Sequence, residues 1–223
     1  MARFKRLEVL NTIAETGLVP LYYDKDAAIV KNVVKACYEG GARIFEFTNR
    51  GDFAHEVFAE VNAWCASECP EMILGVGSVV DAPTAVLYMQ LGAAFVVSPL
   101  LNEEIARVCN RRKIAWIPGT ATLSEINRAE ELGCELVKIF PADTIGGPSY
   151  IKAITGPCPW TSIMPSGGVS PSRENLEAWF GAGAFCVGMG SKLITKEIIA
   201  NAQFEALRDK VSETLELIRS VRK

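Results

Sequence analysis

Lys138 stands inside the apolar run Leu136-Val137-Lys138-Ile139-Phe140-Pro141, where it is the only charge. The run is short, rich in β-branched and aromatic residues, and closed by a proline, so it reads as a buried strand. A lysine is almost never fully buried unless something pairs with it or uses it. Burial disfavours an ammonium, so an amine in such a place can become neutral and nucleophilic. The structural alternative is a salt-bridged lysine, or one whose stem packs while its head reaches water. The run Ile44-Phe45-Glu46-Phe47-Thr48 carries a single carboxylate in the same manner. Side chains alternate along a strand, so parity sorts the two faces. Phe45 and Phe47 suit a face packed on helices, which turns Glu46 the other way. Val137 and Ile139 do the same for Lys138. An amine and a carboxylate then enter one interior. They are either a buried ion pair, for which desolvation can exceed the attraction, or a nucleophile with a proton-transfer partner.

The elements that must position these two residues recur along the chain. Strand-like runs fall at 18–23, 43–48, 73–79, 94–99, 114–119, 136–141, 162–167 and 185–190. Amphipathic segments follow near 26–40, 53–68, 82–91, 102–112, 123–133, 148–156 and 172–181, with one long final helix near 197–221. Asp26, Asn102 with Glu103 and Glu104, and Ser124 with Glu125 read as helix starts. Gly41, Gly92 and Gly133 read as helix stops in the left-handed position. Strict alternation with apolar strands predicts a parallel sheet covered by helices. Eight units predict a (β/α)8 TIM barrel, α/β in class, with an extra N-terminal helix in the first fifteen residues that caps the barrel bottom. An open doubly wound sheet is the alternative. It lacks the Gly-x-Gly-x-x-Gly expected at its first strand–helix turn. With no linker or low-complexity stretch, residues 1–223 are expected to form one domain.

Composition narrows the function classes. Apolar residues make up 49% of 223 positions, which supports a large core, and the net charge of −3 offers no basic footprint for nucleic acid. No apolar stretch reaches membrane-spanning length, and the N-terminal segment is too polar for a signal-peptide core. Seven dispersed cysteines predict reduced thiols and a cytoplasmic protein. With one histidine, a zinc site or a Ser-His hydrolase is disfavoured, and no metal or cofactor is expected.

Further polar residues cluster where the strands end, the face on which barrel enzymes keep their active sites. Thr48 and Arg50 follow the second strand, Ser78 the third, Ser98-Pro99 the fourth and Thr120 the fifth. Ser78 and Thr120 also have a simpler reading, in which they satisfy loop backbone. The last two strands end in Pro165-Ser166-Gly167-Gly168-Val169 and Gly188-Met189-Gly190-Ser191. Glycines there let backbone N–H groups approach an anion, at the two strands where many barrels hold a phosphate.

With Glu46, Thr48, Arg50, the Val-Lys-Ile-Phe-Pro-Ala-Asp motif around Lys138 and the Pro165–Val169 run in hand, the chain resembles a known family. It is similar, over about residues 5–195, to the 2-keto-3-deoxy-6-phosphogluconate/4-hydroxy-2-oxoglutarate aldolases, class I Schiff-base enzymes on a (β/α)8 barrel. The resemblance implies that Lys138 forms the imine, Glu46 is the acid/base and Arg50 binds the substrate carboxylate. From their places at the strand ends and in the glycine runs, Thr48, Ser78, Pro99, Thr120, Phe140, Ser166, Gly167, Gly168, Gly190 and Ser191 are expected around the substrate. The resemblance further implies a phosphorylated keto sugar acid and pyruvate as ligands, and a homotrimer.

This sequence departs from the family pattern in three places. It has Gly77-Ser78 for Gly-Thr, Ser166-Gly167-Gly168 for Thr-Gly-Gly, and Gly-Met-Gly-Ser for Gly-Gly-Ser. The first two keep a hydroxyl, and the third bears on the choice of phosphorylated substrate, gluco- or galacto-configured. Two rival functions use the same glycine loops: a phosphate-binding isomerase or epimerase, and a barrel that binds a phosphorylated ligand without catalysis. The second has no need of an inward lysine–glutamate pair.

Overall fold

The computed structural model describes residues 2–222. Its strands are β1 Leu18–Tyr22, β2 Ile44–Thr48, β3 Ile73–Gly77, β4 Phe95–Val97, β5 Ala115–Ile117, β6 Gly119–Thr120, β7 Val137–Ile139, β8 Ile163–Pro165 and β9 Val187–Met189. The helices are α1 Arg6–Thr16, α2 Ala27–Glu39, α3 Ala54–Glu68, α4 Ala82–Gln90, α5 Glu103–Arg112, α6 Leu123–Glu131, α7 Gly147–Thr155, α8 Arg173–Gly181, α9 Lys196–Ala200 and α10 Phe204–Val221. Each strand pairs in parallel with its neighbours, in the orders β5-β4-β3-β2-β1-β9 and β6-β7-β8.

The two sheets are one curled wall interrupted at two seams. Pro118 separates β5 from β6, because a proline has no N–H to give to a ladder. Its carbonyl still accepts from the Lys138 N–H at 2.8 Å, so the wall continues. At the other seam the Phe185 N–H reaches the Ile163 carbonyl at 2.8 Å, and Ser166 bridges Gly188. The expected fifth strand is therefore two short strands around a proline, and the eight expected strand positions close into a barrel.

Parity sorts the wall as expected. Phe45, Phe47, Val137 and Ile139 pack outward with the helices. Val19, Ile44, Phe95, Val97, Ile117, Leu136 and Met164 face inward, joined from below by Val9 and Ile13 of α1. Phe95 fits inside because Gly75 opposes it, and its ring occupies the place a side chain at Gly75 would take. The lower barrel is a packed plug. Arg6 ties α1 beneath it, donating to the Ile114 carbonyl at 2.6 Å and to Asn110 Oδ1 at 2.8 Å.

Two helix boundaries differ from expectation. Helix α6 is capped by Thr122, which exchanges hydrogen bonds with Glu125, because the capping box needs its acidic partner three residues on. Ser124 falls inside the first turn instead. The long last helix is broken: Ala202 takes φ 50, a conformation no helix continues through, and separates α9 from α10. Gly41, Gly92 and Gly133 hold φ 100, 94 and 82, the left-handed stops expected of them. Among the described residues, no helix is long and apolar enough to cross a membrane.

Candidate active site

Lys138 on β7 and Glu46 on β2 meet inside the upper barrel. The Lys138 Nζ lies 3.9 Å from Glu46 Oε1, with side chains only 8% and 1% exposed. Register explains the fit. Glu46 lies opposite Gly75 and Thr48 opposite Gly77, and the Glu46 carboxylate fills the space a Cβ on Gly77 would need. The other carboxylate oxygen, Oε2, is buried without a hydrogen-bond partner among the described residues. A buried ion pair that served stability would close to about 2.7–2.9 Å and satisfy its remaining lone pairs. This one does neither. The amine also lies 5.1 Å from the centre of the Phe140 ring, whose face favours a cation.

Gly77 yields a direct prediction. Gly77→Ala should force the Glu46 carboxylate from its place, lowering stability by about 1–3 kcal/mol, the usual cost of overpacking. Melting temperature and kcat should fall together. A variant equal to wild type in both would mean that Glu46 does not occupy this position.

Above the pair opens a cleft of about 670 Å³ at the C-terminal ends of the strands. Thr48, Arg50, Phe140 and Ser166 line it, together with the glycine-run residues Gly167, Gly168, Gly190 and Ser191. Thr48 and Phe140 stand two residues beyond Glu46 and Lys138 on the same inward face, so the pair forms the layer directly under the cleft. Gly167 and Gly168 hold φ 97 and 74, and Asp143 fills the place of a side chain at Gly168. A larger cavity of about 820 Å³, around Trp160, Phe185 and Arg222, lies where β8 and β9 begin, away from Lys138. The smaller cavity is the one above the Lys138–Glu46 pair, reached through Thr48 and Phe140.

Besides Lys138 and Glu46 beneath it, three residues expected at the site do not line the cleft. Thr120 is buried and its hydroxyl donates to the Lys138 carbonyl at 3.1 Å, the backbone role considered for it. The Pro99 backbone packs against Gly119, where no Cβ would fit. Ser78, at φ 59, accepts from Arg50 Nε at 3.4 Å and so reaches the cleft through the arginine.

Conversely, Tyr22, Tyr23, Asp24, Lys192 and Lys196 line the cleft unannounced. Two signals were present in the sequence: the end of the first strand, by the same rule that found the others, and the two lysines just past Gly190-Ser191. The Tyr22 hydroxyl donates to Asp24 Oδ2 at 3.2 Å. Burial first, then the neighbouring Asp24 charge, raises the phenol's pKa above its ordinary value and keeps it protonated.

The sequence model of the family described as "Aldolase: KDPG and KHG aldolase" matches residues 9–209. The chain belongs to the KDPG and KHG aldolase family. Among the relatives of this aldolase chain is the 2-dehydro-3-deoxy-phosphogluconate aldolase of Pseudoalteromonas atlantica. It is 36% identical over 163 residues, which are 73% of this chain and 74% of the relative. The KHG/KDPG aldolase of Escherichia coli K12 is 30% identical over 209 residues, 92% of this chain and 94% of the relative. A crystal structure of the KDPG aldolase from Legionella pneumophila, with pyruvate captured at low pH as a covalent carbinolamine intermediate, superposes with a TM-score of 0.78. It shares 26% identity and covers 95% of this chain and 97% of that one. The family read from the lysine motif and the glycine runs is thereby borne out, and with it the barrel.

Proposed function

We propose that this aldolase reversibly cleaves 2-keto-3-deoxy-6-phosphogluconate, or a close 2-keto acid such as 4-hydroxy-2-oxoglutarate, to pyruvate and an aldehyde through an imine on Lys138. The observation that carries the reading is the loosely engaged Lys138–Glu46 pair under an open cleft, 3.9 Å apart with one carboxylate oxygen unpartnered. The amine, as free base, attacks the C2 carbonyl and gives a carbinolamine. Glu46 in its acid form protonates the departing hydroxyl, and water leaves. The resulting iminium withdraws electrons from C3. Glu46, now a carboxylate, takes the C4 hydroxyl proton as the C3–C4 bond breaks. The bonding pair passes into the enamine, and the C4 fragment departs as its aldehyde, glyceraldehyde 3-phosphate for the phosphorylated sugar acid. Returning that proton to C3 and adding water across the iminium releases pyruvate and restores the amine. Proton transfers of this kind contribute about 10²–10⁴ in rate.

Arg50 holds the substrate carboxylate by a forked, charge-assisted contact. Thr48, Phe140 and Ser166 enclose the keto acid beside it. The glycine runs with Ser191, supported by the neighbouring Lys192 and Lys196 ammonium groups, suit the distal phosphate. On the family resemblance, the working form is a homotrimer in the cytoplasm.

Incubation with pyruvate and borohydride tests the chemistry. The amine should be reduced onto one pyruvate, and peptide mapping should find the added mass on the fragment containing Lys138. Label on another lysine, or on none, would overturn the assignment.

A further inference from the structure

The turn that carries Arg50 is gripped from both flanks. Asn49, Arg50 and Gly51 follow β2 directly, and the Asn49 N–H donates to the Gly77 carbonyl at 2.8 Å, extending the β2–β3 ladder by one bond. The Asn49 side chain turns away from the cleft and accepts a hydrogen bond from the Tyr88 hydroxyl at 2.8 Å. Tyr88 belongs to α4 and is 1% exposed. Its ring stands edge-on to Phe58 at 5.1 Å, Phe58 stands likewise against Phe47 at 5.7 Å, and Phe47 against Tyr23 at 5.6 Å. The Tyr23 hydroxyl then abuts Gly51, leaving no room there for a Cβ. Four rings thus pass behind the strand that bears Glu46 and reach both ends of a three-residue turn. Only Arg50, between them, is turned to the cleft, its Nε directed by Ser78.

We propose that Tyr88 is a positioning residue, acting through Asn49 to fix the direction in which Arg50 enters the cleft and so setting the affinity for the substrate carboxylate. The inference rests on the reading of Arg50 as the carboxylate anchor. A guanidinium rewards a carboxylate most when its fork is aligned, and an exposed arginine on a free turn would spread over many directions. Misplacing a reacting group by about 1 Å can cost ~10²-fold. Tyr88 links the helix layer to the residue beside Arg50.

The experiment is borohydride trapping across a pyruvate concentration series, reading the half-saturating pyruvate and the maximal trapping rate, with a thermal melt of each variant. Tyr88→Phe keeps the ring stack and removes only the hydroxyl. It should raise half-saturating pyruvate about tenfold, equivalent to ~1.4 kcal/mol. The maximal rate should stay within about twofold, and the melt should be nearly unchanged. Asn49→Ala, at a half-buried turn position, should reproduce that shift, and the double variant should be no worse than either single one, because both break the same bond.

Arg50→Ala separates the two readings. If it raises half-saturating pyruvate while Tyr88→Phe and Asn49→Ala do not, the positioning role is overturned and the carboxylate anchor stands. If Arg50→Ala leaves it unchanged, the anchor itself is wrong, and the inference falls with it. A Tyr88→Phe variant that loses maximal rate and melting temperature together has a packing role only, which also overturns the proposal. Were Tyr88→Phe not to fold, Asn49→Ala alone would decide by the same shift.

Discussion

Replacing Lys138 by methionine should lower kcat for cleavage on the order of 10⁴-fold or more, since the covalent route vanishes with the amine. Methionine matches the stem, so the upper barrel stays filled. Alanine should be equally inactive but less stable than methionine, because it also opens a cavity beside the buried Glu46 carboxylate. Lys138→Arg keeps the positive charge and should still be inactive, because a guanidinium does not give up its proton to become a nucleophile. This last variant decides between the two readings of the pair. If the lysine served only as a counter-ion, arginine would restore much of the activity. Pyruvate release from 2-keto-3-deoxy-6-phosphogluconate, followed in time, is the measurement. Activity above about a tenth of wild type in Lys138→Arg would sink the imine mechanism.

Glu46→Gln should lower kcat by about 10²–10⁴-fold. The change keeps the shape and removes the proton acceptor. The amide would sit where an unpartnered oxygen and the Lys138 amine now meet, so stability should change little compared with activity. Borohydride trapping with pyruvate should also slow, because carbinolamine collapse needs a proton delivered to the departing hydroxyl. Trapping and cleavage report different steps. Slow cleavage with unimpaired trapping would confine Glu46 to the C–C bond step. Unimpaired kcat would reduce it to a structural partner of Lys138.

The sequence made these two residues legible because each is the lone charge in a strand whose other residues declare their faces. The phenylalanines around Glu46 and the aliphatic residues around Lys138 pack outward, which left a single direction for each polar side chain. Alternation of strands and helices gave the barrel in the same way. What stayed hidden depends on contacts between distant segments. Phe95 points inward although it is bulky, and only the opposing Gly75, one strand away, makes that possible. Thr120 has the composition of a binding residue, yet its hydroxyl is spent on the Lys138 carbonyl. The break at Ala202 left no pattern in the hydrophobic spacing, because both halves of the segment keep an apolar face on the barrel. Tyr22, Tyr23 and Asp24 are not legible as cleft residues from sequence, because a tyrosine at a strand end reads equally well as core or as cleft until the neighbouring loops are placed.

The plugged lower barrel has a consequence for the order of events. Val9 and Ile13 seal the floor, and Phe95, Ile117 and Met164 fill the space above them, so the well over Lys138 opens only upward. In the proposed chemistry the pyruvate half of the substrate is bonded to Lys138 at the bottom of that well, with the aldehyde half toward the opening. For the chemistry proposed above, the aldehyde must depart while pyruvate is still attached, and in synthesis pyruvate must load before the aldehyde arrives. A one-ended vessel imposes a queue, last in and first out, that residues far from any reacting atom enforce.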